Sequence, residues 1–154
     1  GLGDVYKRQI ENDEMGWGLD ASLELEKDLA LVMDIHHHWI RAEEYIEPHD
    51  DRVKRVIDSW RGQRPTMHYS YSRDEHLAPA NLGDKIHSEM HDIKMLLERG
   101  CKKQKLRAHS DLLPNTKVND WALSFGEHFD IQTEAKGKNM AAEQLYRQHI
   151  EKNV

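Results

Sequence analysis

The chain has 154 residues, 32% of them charged, with a mean hydropathy of −0.87 and a formal net charge of −6. That length suits one domain, and no apolar run is long enough for a membrane span. The one cysteine, Cys101, excludes an internal disulfide framework and fits a reducing, cytoplasmic setting. The acidic balance argues against indiscriminate nucleic-acid binding, and periodic apolar segments argue against disorder.

Asp4-Val5-Tyr6-Lys7-Arg8-Gln9 resembles the translation of a transposon end used in preparing sequencing libraries. Residues 1–9 are therefore read as adapter-derived and set aside, leaving 10–154 as the C-terminal part of a single domain entered mid-strand at Ile10. Asp4, Lys7 and Arg8 contribute +1, so the remainder carries −7.

In chain order, a strand end at Ile10-Glu11 is followed by a helix over Asp20–Lys27. Leu29–Met33 reads as a fully buried strand of the parallel type, and it runs into Asp34 and a surface loop carrying His36, His37 and His38. Asp51–Trp60 is a helix with Val53, Val56, Ile57 and Trp60 on one stripe and Asp50 or Asp51 as its cap. Pro65–Tyr69 is a short strand and Ser70–Leu82 a polar loop. Gly83–Arg99 returns to helix, with Ile86, Met90, Ile93 and Leu97 aligned and Gly100 as the stop. Lys105–His109 is a weak strand. Asn115 caps a helix whose buried face is Val118, Trp121, Ala122, Phe125 and Phe129. Asp130–Glu134 is a strand and Asn139–Ile150 the last helix.

This β-α alternation, repeated about five times, predicts an α/β fold on a parallel sheet, doubly wound or closed. Segments end at Glu11, Asp34, His68, His109 and Glu134, so that five strand ends each deliver a metal-type ligand. A (β/α)8 TIM barrel gathers all such ends on one face, whereas an open sheet gathers them at one switch point. The expectation is a barrel represented by about five of eight units. An unclosed sector exposes sheet edges, so the chain alone is expected to be poorly soluble or oligomeric, to bind metal weakly and to lack nuclease activity.

Glu11, Asp34, His37, His68, His109 and Glu134 supply three carboxylates and three imidazoles, more than one tetrahedral site needs. Such O/N sets suit two or three divalent ions, Mn²⁺ first and Zn²⁺ as the alternative. Ions about 3.5–4 Å apart activate water, clamp a phosphoryl group and stabilise a leaving oxygen. Taken singly, each residue has a plainer reading. Glu11, Asp13 or Glu134 caps a following helix, His68 is a hydrogen-bonded core residue, and His36 and His38 are exposed neighbours of His37. The remaining histidines lie on loops or helices as ordinary residues. The run Arg99–Arg107, with Lys102, Lys103 and Lys105, meets phosphates or is a solvated helix end.

Ile10-Glu11-Asn12-Asp13-Glu14, Val32 to Trp39, Pro65 to Ser70, Ala108-His109-Ser110-Asp111 and Glu134-Ala135-Lys136 together resemble the successive motifs of UV-damage endonucleases. The Asp34-x-x-His37 step is shared with the wider apurinic-site endonuclease and xylose-isomerase-like barrels. The resemblance implies DNA-repair cleavage of the backbone 5′ to ultraviolet photoproducts, without ATP, on damaged double-stranded DNA and with no obligate protein partner. It implies that Glu11 bridges a first and a second metal, that Asp34, His68 and Glu134 complete the second, and that His37 and His109 hold a third. Thr66 departs from the pattern, standing where the family usually carries a lysine. Two other readings stay open: a two-metal sugar isomerase-like barrel, and an inactive metal-binding fragment.

Overall fold

The computed structural model describes residues 9–153. Of the adapter-like stretch, only Gln9 falls among them, and it pairs with Ala30; residues 1–8 lie outside the described residues. Strands β1 (Gln9–Glu11), β2 (Ala30–Asp34), β3 (Thr66–Tyr69) and β4 (Asp130–Thr133) form one parallel sheet in the order β1-β2-β3-β4. The order never reverses, so the described sheet has no switch point of the doubly wound kind. It has four strands rather than the five expected, and it is open.

The helices are α1 (Leu19–Leu23), α2 (Ile35–Ala42), α3 (Asp51–Asp58), α4 (Asp74–Leu77), α5 (Ile93–Glu98), α6 (Lys103–Leu106), α7 (Thr116–Leu123) and α8 (Asn139–Lys152). None is long and apolar enough to cross a membrane. Strand alternation sends Leu31, Met33, Met67 and Tyr69 to one face, where they share a core with Val53, Val56, Trp121 and Phe125. Ala30 and Val32 point to the other face, beneath Trp60. Trp60 therefore does not continue the α3 stripe as expected. It lies past the helix end, fully buried, with its indole Nε1 donating to the Leu31 carbonyl at 2.9 Å. Asp50 caps α3 and Asn115 caps α7 through backbone N–H groups, as their sequence positions imply.

Four segments differ from expectation, and in the first two a distant group takes the backbone. Gly83–Arg99 is not one helix: a 3₁₀ turn at Gly83–Lys85 gives way to turns, and only Ile93–Glu98 is helical, capped by Asp92. The Ile86 carbonyl accepts from Tyr71 Oη and Asn115 Nδ2, the Glu89 carbonyl from Asn115 Nδ2, and the His91 carbonyl from Tyr45 Oη. Acceptors engaged this way are lost to an i→i+4 ladder, and Met90, placed on the expected stripe, is exposed. Lys105–His109 is not a strand. Its first half belongs to α6, and the Leu106 carbonyl accepts from Ser72 Oγ and meets His36 Nε2; His109 makes only an isolated antiparallel bridge with Ser72. Asp20–Lys27 shortens to α1 followed by turns, and Ser70–Leu82 contains α4 and a 3₁₀ turn at Ala78–Ala80.

Candidate metal centre

Strand register decides which side chains share a face. Glu11 pairs with Val32, two residues before Asp34; Asp34 pairs with His68; His68 pairs with Gln132, two residues before Glu134. Every offset is even, so all four side chains leave the sheet on the face away from the helices. Glu134 lies one residue beyond β4, and its N–H still donates to the Tyr69 carbonyl at 2.8 Å. Past that point β3 and β4 separate. The segment around Ser110 fills the gap, its N–H donating to Tyr71 and its carbonyl accepting from Lys136.

Glu11, Asp34, His68 and Glu134 each offer a ligand atom, and those atoms all lie within 4.8 Å of one another. His68 Nδ1 stands 3.1 Å from Glu11 Oε1 and 3.0 Å from Glu134 Oε1. Asp34 is fully buried. Its Oδ1 accepts the His37 N–H at 2.9 Å, capping α2, whereas the plainer capping reading of Glu11, Asp13 and Glu134 fails, since α1 and α8 start from Gly18 and Lys138. Asn12, just past β1, fixes that aspartate: its Oδ1 accepts the Asp34 N–H at 2.8 Å and its Nδ2 donates to the Asp34 carbonyl at 3.0 Å. Asp34 Oδ2, His68 Nδ1 and Glu134 Oε1 are buried without a hydrogen-bond partner. Convergent donors with unsatisfied lone pairs fit a cation, because leaving them bare costs desolvation with no return.

Electrostatics agree with that fit. Burial, then the neighbouring Glu11 and Glu134 charges, push the Asp34 carboxyl well above the usual range although the His37 N–H opposes this. Burial pulls the His68 imidazole down, but Glu11 and Glu134 outweigh it and push it up to about 10. His68 in turn holds Glu134 at about 2. Glu11 is lowered as well: burial raises it, and His68 and Asp34 more than offset this. Without a cation, the cluster keeps a proton on His68 to balance its carboxylates.

A family model described as UV-endonuclease UvdE matches residues 4–153. The chain belongs to this family. No curated protein sequence and no solved structure matches it.

In this UV-endonuclease chain the remaining site candidates sort by position. His37 groups with Asp13 and Glu14 rather than with His109, and its Nδ1 lies 3.5 Å from Glu11 Oε1, so Glu11 stands between the two clusters. His109 lines the same cavity, of about 860 Å³, but belongs to neither cluster; burial lowers its imidazole. Thr66 lies on the His68 face at the start of β3, paired with Asp130. His36 and His38 are buried rather than exposed, because α2 follows β2 without a loop; burial holds His36 at about 3. In the basic run, Lys103 pairs with Glu43 at 3.3 Å, Lys102 and Lys105 are exposed, and Arg107 reaches the cavity rim to pair with Glu14. Asn12 and Glu14 were not among the expected site residues. Both lie in the Glu11–Glu14 motif, but a polar run after a strand carries no signal of which side chains turn inward.

Proposed function

We propose that this UV-endonuclease family member hydrolyses the DNA backbone 5′ to ultraviolet photoproducts, independently of ATP, at a site built on Glu11, Asp34, His68 and Glu134. The carrying observation is the convergence of these four side chains from four parallel strand ends, three of them with buried atoms lacking partners. The unreversed strand order supports reading the sheet as a sector of a (β/α)8 barrel, whose active sites lie at the C-terminal ends of the strands. The donor set is hard to borderline and suits Mn²⁺ before Zn²⁺. Divalent ions held there supply the Lewis acidity that activates water and offsets charge on the phosphoryl group.

The chain's own residues prepare that chemistry. Asn12 locks the Asp34 backbone, so the carboxylate is aimed before any ion arrives. Glu11, central between the clusters, is placed to share an ion with either. Arg107, Lys136 and Lys138 stand at the cavity rim, where cations offset the repulsion between the acidic floor and incoming phosphates. Flipping a photoproduct into the cavity costs less than flipping an intact base, because the lesion has already weakened stacking.

Nicking of irradiated supercoiled plasmid by the intact gene product tests the reading. Mn²⁺-dependent nicking, absent from unirradiated plasmid and abolished by a chelator, is expected. Sugar isomerisation without nicking supports the isomerase alternative, and neither activity supports a binding role alone.

A further inference from the structure

We propose that Met15 and Trp17 form a stacking platform, beside the mouth of the cavity, for one unstacked base of the DNA strand held there; this rests on the proposed DNA cleavage. The chain has four tryptophans. Trp39, Trp60 and Trp121 are buried in the core, whereas Trp17 is 44% exposed and Met15 is 48% exposed. A single exposed apolar side chain is ordinary. Here two share one short turn, and neither packs in the core, so the fold gains little from them.

The turn holds them in place without a ligand. Asp13 Oδ1 accepts the Glu14 N–H at 2.8 Å and Oδ2 the Gly16 N–H at 3.1 Å, while the Trp17 carbonyl accepts the Asp13 N–H. Three hydrogen bonds over five residues fix the backbone in advance, so binding has little left to order. Gly16 and Gly18 flank the indole, and neither carries a side chain that could cover its ring. Asp13 and Glu14 line the cavity, which places the turn directly beside it. Arginines meet the turn at both ends. Arg107 pairs with Glu14 at 3.1 Å on the cavity side. Arg41 lies across Gly18, so close that a Cβ there would collide with its Nε, and its guanidinium makes no ion pair among the described residues. Lys103 Nζ stands 3.5 Å from the Arg41 carbonyl. An aromatic surface between arginines matches a nucleotide, whose base stacks and whose phosphates are met by cations. Two side chains make too small an apolar patch for a protein interface. Stacking also tolerates every base, which suits an enzyme that must hold a strand of any sequence around a lesion.

Because the other three tryptophans are buried, quenching of fluorescence by DNA reports on Trp17. The 154-residue chain, at low salt and with a chelator so that nothing is cut, is titrated with a short oligothymidylate and with an abasic oligonucleotide of the same length and charge. The oligothymidylate is expected to quench the exposed tryptophan and to bind about 5- to 100-fold more tightly than the abasic strand. Trp17→Ala is expected to bring the two strands to equal affinity, and Trp17→Phe to keep most of the difference. The comparison of strands needs no variant, so it decides even if circular dichroism shows Trp17→Ala misfolded. Equal affinity of wild type for both strands overturns the platform and leaves DNA binding standing. Binding of neither strand overturns the platform and the DNA reading together. Fluorescence that shifts with protein concentration but not with DNA assigns this face to a second copy of the chain and overturns the platform.

Discussion

Asp34→Asn gives opposite results with and without metal. Asparagine is as good a helix cap as aspartate, so the bond from the His37 N–H, worth about 1 kcal/mol, survives. The Asp34 carboxyl is raised well above its unfolded range, by burial first and by Glu11 and Glu134 next. A raised carboxyl binds its proton more tightly when folded, so the metal-free fold loses stability as pH rises above the unfolded value, and neutral pH lies on the costly side. The amide removes that charge and can donate to a neighbouring carboxylate, a gain of about 1–2 kcal/mol. At about 2–4 °C per kcal/mol for a domain of this size, the metal-free variant is expected to melt about 2–8 °C higher than wild type. Mn²⁺ at a hundred times its dissociation constant stabilises wild type by about 2.7 kcal/mol, or about 5–11 °C, and this shift is expected to vanish in the variant. Scanning calorimetry at pH 7.5, with Mn²⁺ and with chelator, measures both quantities. A metal-free variant that melts below wild type, together with an undiminished Mn²⁺ shift, refutes the assignment of Asp34 as a strained ligand.

Because His68 holds its proton up to about 10 in the metal-free chain, an ion binding there must displace it. Affinity is then expected to fall about tenfold for each unit that pH is lowered below that value; calorimetric titrations in two buffers of different ionisation enthalpy should show about one proton released, and no release removes His68 from the ligand set. Asn12→Ala strips both hydrogen bonds from the Asp34 backbone; a loss of about 2–4 kcal/mol and a 10- to 100-fold weaker Mn²⁺ affinity are expected, and an unchanged affinity means Asn12 serves the fold alone. Trp60→Ala empties a fully buried position and should cost about 3–5 kcal/mol in denaturant melts; a cost under 1 kcal/mol contradicts its place beneath Ala30 and Val32. Changing Lys102, Lys103 and Lys105 together to Ala should reduce the log–log salt slope of duplex binding by about 0.9 per lost phosphate contact. Lys103 already pairs with Glu43, so at most two such contacts are expected, and an unchanged slope marks the run as solvated surface.

Local patterns settled much of this protein before any tertiary contact was known. The buried run before Asp34, the helical stripe of Val118, Trp121 and Ala122, and the caps at Asp50 and Asn115 depend on neighbours a few residues away, and they formed as written, while Phe125 and Phe129 are buried past the helix end. The acids closing β1 and β2 were equally legible, because a run of apolar residues that stops at an acid marks where the sheet meets the cavity, whereas the same reading at His109 met no strand. Other features arose from pairings between residues far apart in sequence. Asn115 unravels the 83–92 stretch by taking the Ile86 and Glu89 carbonyls, and Leu106 turns its carbonyl to Ser72 instead of a sheet partner. The even register offsets that bring Glu11, Asp34, His68 and Glu134 to one face are likewise set between strands and not within them. His37, in the helix after β2, meets Glu14 of the segment after β1 across the hydrogen bonds that tie Asn12 to Asp34. Periodicity along a chain reports which face a residue occupies. Which backbone groups are claimed by distant donors, and which ligand stands beside which, is decided only when the strands come into register.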